Sequence, residues 1–149
     1  MDPNHYRFSG AWLLDAPPRA VYAALEDVPR YPLWWPDIRT ARQTGADTGE
    51  VVIRALVPYR LVLVLTAARR DPAAGVLEVA MDGDLVGWSR WTVRPDGAGT
   101  RALFEEETRP GKPLLRRLAR PGRPVFRANH AVMMLRGRRG LRAYLAGAG

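Results

Sequence analysis

Polar and apolar positions alternate along most of the first 109 residues, and after Lys112 the rhythm changes. Residues 5–14, HYRFSGAWLL, put Phe8, Trp12 and Leu14 on one side of an extended segment. In DAPPRAVYAALED the spacing turns helical, with Val21, Tyr22, Leu25 and Val28 on one face. Asp15 is placed to cap this helix, and Pro17 or Pro18 suits its first turn. VPRYPLWWPDI is interrupted by Pro29, Pro32 and Pro36, so it reads as a short helical turn that gathers Tyr31, Trp34 and Trp35.

From Asp37 to Arg109 the period is two, punctuated by QTGADTGE, VPYR, RRDPAAG, MDGD and RPDGAGT. The runs between predict strands near 38–43, 50–57, 60–70, 75–82, 85–94 and 100–109, joined as antiparallel hairpins. Alternation assigns their faces. Val51, Ile53, Ala55 and Val57 oppose Arg54, and Leu77, Val79 and Met81 oppose Glu78 and Asp82. Gly87, Ser89, Trp91 and Val93 oppose Arg90, Thr92 and Arg94, and Ala102, Phe104, Glu106 and Thr108 oppose Arg101, Glu105 and Glu107. Beyond Lys112, KPLLRRLAR predicts a short helical segment ended by PGRP, and a long helix runs from about Pro124 to Ala146.

On that long helix Phe126, His130, Met133, Gly137, Leu141 and Tyr144 share one arc, flanked by Met134 and Gly140. Arg127, Arg138 and Arg142 lie opposite, with Arg139 beyond them and Arg136 nearer the apolar edge. The two glycines each cost roughly 1 kcal/mol relative to alanine in a helix interior, which makes sense where the helix passes something bulky or bends. Such a helix buries its apolar arc against a curved antiparallel sheet, and the aromatic face Phe8, Trp12, Trp91 and Phe104 favours a cavity over a solid core. The fold class is therefore α+β, a single domain over residues 1–149.

Charge changes the picture at one end. Residues 1–107 hold 12 Arg against 15 Asp and Glu, a net −3; residues 108–149 hold ten Arg, one Lys and no acid, a net +11. The simple reading is a solvated basic helix face; the sharper one is a surface for an acidic carrier protein, an anionic surface or nucleic acid. No nucleic-acid motif accompanies the arginines and the sheet needs the apolar arc, so no nucleic acid is expected and the membrane-surface reading ranks lowest. The chain has no cysteine, which excludes disulfides, thiolate metal sites and a cysteine nucleophile. MDPNHYRFSG has no secretory pattern and no apolar run is long enough to span a bilayer, so a cytoplasmic protein is expected.

The candidate chemistry is sparse. There is no phosphate-binding or dinucleotide loop, no nucleophile elbow at Ser9 or Ser89, and two histidines 125 positions apart make no metal site, so neither metal nor cofactor is expected. What remains is Glu106, inward beside Phe104, and His130, on the apolar arc: a pair able to move protons in an enclosed site. Asn129 lies about 100° round the helix from His130. Tyr31, Trp34 and Trp35 are placed to close one end of a cavity, and Met81 and Met133 offer adaptable apolar surface.

DAPPRAVYAAL, YPLWWPDI, DGDLVGWSRW and KPLLRRLARPGRPVFRANHAVMMLRGRRGL together resemble the polyketide cyclase/dehydrase-like branch of the START/Bet v 1-like (SRPBCC) superfamily, over nearly the whole chain. That resemblance implies a helix-grip fold, in which a curved seven-stranded antiparallel sheet wraps the C-terminal helix, with two short helices after the first strand and an internal apolar cavity. It implies binding of a small hydrophobic molecule, lipid or polyketide-like, with cyclisation or dehydration in some members. The ligand wall would comprise Phe8, Trp12, Tyr31, Trp34, Trp35, Met81, Trp91, Phe104, Phe126, Asn129, Met133 and Tyr144, with Glu106 and His130 as the acid–base candidates. An apolar or aromatic residue is usual where Glu106 stands, so here the chain departs from a purely greasy pocket.

Overall fold

A computed structural model describes residues 5–55, 60–111 and 123–148. Strand β1 (Tyr6–Leu14) leads into helix α1 (Pro18–Glu26), a 3-10 helix (Val28–Leu33) and strands β2 (Ile38–Gln43) and β3 (Thr48–Ile53). Strands β4 (Leu61–Asp71), β5 (Val76–Gly83), β6 (Leu85–Asp96) and β7 (Gly99–Pro110) precede the long helix α2 (Arg123–Ala148). The seven strands form one antiparallel sheet in the order β1-β7-β6-β5-β4-β3-β2. This is the helix-grip arrangement that the family resemblance implies.

Local chemistry sets the boundaries. The β6–β7 turn closes at Gly97, whose φ of 58° is the left-handed conformation that glycine adopts without a Cβ penalty. The residue before a proline is driven out of the helical region. Pro18 therefore holds Pro17 extended, at ψ 151°, and α1 begins one residue later. The cap position falls on Pro17, which has no side-chain acceptor, so Asp15 does not cap α1 as its spacing predicts. Strand β3 runs from Thr48 to Ile53 rather than 50–57, because its first residues pair with the middle of β4. Val57 and the KPLLRRLAR segment lie outside the described residues. β6 extends to Asp96, two residues beyond the predicted end, pairing as far as Gly99.

The alternation holds on the outer face of the sheet. Glu78, Arg90 and Glu105 lie side by side across β5, β6 and β7, and Arg90 reaches Glu78 at 2.7 Å and Glu105 at 3.5 Å. Such exposed pairs add little stability but fix which face is out.

Side chains join helix α2 to the sheet, as where the His130 ring stacks on Phe8. The closest approach of α2 is to the segment after the 3-10 helix. Trp34 and Trp35 stack with centroids 5.3 Å apart, and the Trp35 indole Nε1 donates to the Met133 carbonyl at 2.9 Å. A Cβ on Gly137 would stand 2.5 Å from Trp35 Cε2 and 2.8 Å from Trp12 Cη2, and one on Gly140 would overlap the Trp34 carbonyl oxygen. The two helical glycines are therefore where the helix meets bulk, and Leu141, fully buried, continues the same seam.

The seam predicts opposite outcomes for equivalent substitutions. Gly140→Ala is expected to destabilise the fold by about 1–3 kcal/mol, because overpacking against backbone exceeds the gain in helix propensity. Gly147→Ala, where a Cβ meets nothing within 4 Å, is expected to be neutral or stabilising by up to about 1 kcal/mol. Urea denaturation of both variants checks this; a stabilised Gly140→Ala protein would contradict the docked helix.

Candidate functional site

Between the concave face of the sheet and α2 lies a cavity of about 670 Å³. Its floor is aliphatic: Leu61, Leu63 and Leu65 of β4, Leu77, Val79 and Met81 of β5, and Val51 and Ile53 of β3. Trp91 and Phe104 continue it across β6 and β7, and Phe8 of β1 forms one side wall. The roof comes from α2 through Phe126, Asn129, His130, Met133 and Met134, and the 3-10 segment supplies Tyr31 and Trp35.

Tyr31 presents its ring rather than its hydroxyl, which donates to the Leu25 carbonyl. Burial, with Asp27 nearby, pushes the Tyr31 pKa well above the ordinary tyrosine range, so this hydroxyl stays a donor. The neighbouring Trp34 faces away from the cavity. It packs edge-on against Trp12 at 6.3 Å and beside Tyr31 at 4.9 Å, behind Trp35. Trp12 lies beneath the cavity, its ring 5.3 Å from Trp35 and 4.7 Å from Trp91. Tyr144 packs on the core three turns beyond Met133. None of these three lines the cavity, although the resemblance implies them for the ligand wall: Trp34 and Tyr144 buttress it from the core, and Trp12 lines a smaller hollow between β1 and α2.

Glu106 and His130 meet at the opposite end. Phe8 is directly across from Glu106 in the β1–β7 register, and the His130 ring stacks on Phe8 with centroids 3.7 Å apart and planes 11° apart. Phe104 lies 5.9 Å away on a nearly parallel plane. This places His130 Nε2 3.7 Å from Glu106 Oε1, within ion-pair reach but beyond a hydrogen bond. Glu106 is 8% exposed, and its carboxylate accepts a 3.4 Å hydrogen bond from the Thr108 hydroxyl. His130 Nε2 is buried and has no hydrogen-bond partner among the described residues. Chemically, the arrangement sets an acid and a base side by side in an aromatic frame.

The far rim, at the ends of β2–β4 and α1, is polar in a different way. Arg70 pairs with Asp47 at 2.7 Å, Arg69 with Asp71 at 3.0 Å and Arg42 with Glu50 at 3.5 Å. Sequence reasoning missed this rim and the β4 floor. In LVLVL both faces of β4 are apolar, so alternation carries no sign, although Val62 and Val64 prove to point outward.

The basic face of α2 is not simply solvated. Arg136 binds the almost fully buried Asp37 at 2.8 Å. Arg123 donates to the His5 carbonyl at 3.1 Å and Arg142 to the Leu13 carbonyl at 3.0 Å, so the helix is tied to both ends of edge strand β1. The expectation of a purely solvated face fails because β1 leaves carbonyls unpaired beside the helix, within arginine reach.

The fold and cavity define a class, and the sequence profile of the family described as polyketide cyclase / dehydrase and lipid transport matches residues 6–145; the chain belongs to that family. Solved structures agree in fold. Zhui aromatase/cyclase from a Streptomyces species is similar at 13% identity with a TM-score of 0.76, covering 95% of this chain and 94% of that one. A START superfamily protein from Mycobacterium smegmatis is similar at 14% identity and a TM-score of 0.77, over 96% and 99% of the two chains. A conserved protein from Geobacillus kaustophilus reaches a TM-score of 0.79 at 10% identity, over 96% and 97%. No curated protein matches by sequence. Among the described residues no helix is long and apolar enough to cross a membrane.

The Asp37–Arg136 pair should be energetically coupled. In a cycle of Asp37→Asn, Arg136→Gln and the double variant, a coupling of about 1–2 kcal/mol is expected. That is less than for a fully buried pair, because water reaches Arg136. A coupling near zero by urea denaturation would mean that this bond does not pin the helix.

Proposed function

We propose that this protein binds a small hydrophobic molecule, lipid or polyketide-like, in the cavity between sheet and α2. The observation that carries the reading is the cavity itself: about 670 Å³, walled by aliphatic and aromatic side chains from all seven strands and the helix. That volume is in the range of small-molecule sites, and Met81, Met133 and Met134 give the wall the adaptability that varied apolar shapes require. The engaged arginines of α2 speak against a helix reserved for nucleic acid or a membrane surface, since Arg123, Arg136 and Arg142 are bound within the fold.

A second reading has its own support in the Glu106–His130 pair. In a cyclase or dehydratase the cavity would fold a flexible chain, and the pair would move protons during an aldol-type closure or loss of water. Glu106 would take a proton from the substrate carbon while His130 donates to the departing or developing oxygen; no covalent intermediate is needed. The remaining exposed basic residues would then receive an acidic carrier protein that delivers the chain.

Extraction of freshly purified protein, followed by mass spectrometry, is expected to release a bound apolar compound. Titration with a hydrophobic ligand is expected to quench tryptophan fluorescence. Trp91→Phe should reduce that quench, while Trp88→Phe, outside under Arg90, should leave it intact. An unchanged signal in Trp91→Phe would place the ligand elsewhere. For the enzymatic reading, Glu106→Gln is expected to keep binding within about threefold and lower turnover by about 100-fold or more; equal turnover would remove Glu106 from the chemistry.

A further inference from the structure

A second, smaller hollow of about 380 Å³ opens between edge strand β1 and α2. Ser9, Gly10 and Ala11 form its strand side, and Arg127, Leu135 and Arg138 its helix side. Small residues on β1 are what leave the gap: a Cβ on Gly10 would meet nothing within 4 Å. The hollow shares Phe8, Phe104, His130 and Met134 with the main cavity, so one layer of side chains divides the two.

Charge distinguishes this hollow from every other part of the lining. The arginines at the far rim of the main cavity are matched by Asp47, Glu50 and Asp71. The near end carries Glu106, which repels an anion. Arg127 and Arg138 have no carboxylate partner among the described residues. Arg127 lies over the Tyr6 and Phe8 rings, 5.8 Å from each centroid, and Arg138 Nε is buried with no hydrogen-bond partner among the described residues. A guanidinium held in this way is a ready donor to a carboxylate.

Taking the cavity as a hydrophobic-ligand site, we infer that its ligand is a carboxylate-bearing amphiphile, with the acid group in the β1–α2 hollow on Arg127 and Arg138 and the tail in the main cavity. The dividing layer must yield to admit the tail, and Met134, unbranched and flexible, is the member that gives way at least cost. Glu106 contributes by opposing the reverse orientation. The apolar tail meets leucines and valines, and the head meets cations that no side-chain acid among the described residues neutralises.

The test compares a long-chain fatty acid with the primary alcohol of equal length, by tryptophan fluorescence titration of the full chain. The acid is expected to bind about tenfold tighter, the effect of charged hydrogen bonds in a partly dry site. In the Arg127→Gln/Arg138→Gln double variant the alcohol should bind as before and the preference for the acid should vanish, with the thermal midpoint confirming an intact fold. Equal affinities in the unsubstituted protein, or a preference that survives the double variant, would overturn the head site while leaving the hydrophobic cavity standing. Failure of both acid and alcohol to bind would remove the cavity reading and this inference with it.

Discussion

The helix can stand where it does only because two of its residues have no side chain. Gly137 and Gly140 let α2 descend onto Trp35 and the Trp34 carbonyl, and the Trp35 N–H secures the contact at Met133. A glycine in mid-helix is locally unfavourable, so the seam is a case in which tertiary packing overrides propensity. Everything on the ligand side follows from it. The C-terminal half of the helix is fixed against aromatic bulk, Leu141 closes the seam, and the N-terminal half is carried out over the sheet.

A helix pinned in this way need not collapse onto the sheet. Arg136 on Asp37 holds it near the tryptophans, while Arg123 and Arg142 hold it to opposite ends of β1. These bonds run along the margins, so they fix the separation of roof and floor without filling the space between. The aromatic layer of Phe8, His130 and Phe104 then braces the roof at its far end. The cavity is in this sense a consequence of where the pins lie, as much as of the side chains that line it.

Much of this was legible in the sequence, and the exceptions have physical causes. Period two placed Glu106 inward beside Phe104, and helical period placed His130 on the same side as Met133; both side chains meet at the cavity. The glycines in RGRRGL signalled a close passage but could not name Trp35 as the partner, since the bond that seats it on the helix, to Met133, spans 98 residues of chain. Trp34 and Tyr144 fall in the core rather than the ligand wall because hydrophobic patterning reports burial and does not separate core from cavity lining. LVLVL failed for the opposite reason: with both faces apolar, pattern gave no direction to β4. The arginines of α2 looked free because the acceptors of Arg123 and Arg142 are backbone carbonyls, which no residue type announces.

The interior is also more directional than an apolar pocket alone would be. A wall of leucine and valine discriminates weakly between ligands of similar size, since each methylene adds only about 0.8 kcal/mol wherever it lies. Polar groups are costly to leave unmatched in such surroundings, so they set orientation. Here they are segregated: matched ion pairs at the β2–β4 rim, Glu106 with Thr108 and His130 near β1, and, beyond the Phe8–His130 layer, Arg127 and Arg138, which have no carboxylate partner among the described residues. A neutral hydroxyl or carbonyl can approach Glu106 and His130, whereas an anion is turned away from the carboxylate. The position of one buried acid, on a strand otherwise facing the cavity with Phe104 and Thr108, therefore bears on both readings of function. Under the proposed binding reading it would orient the bound molecule, and under the enzymatic one it would serve as the base.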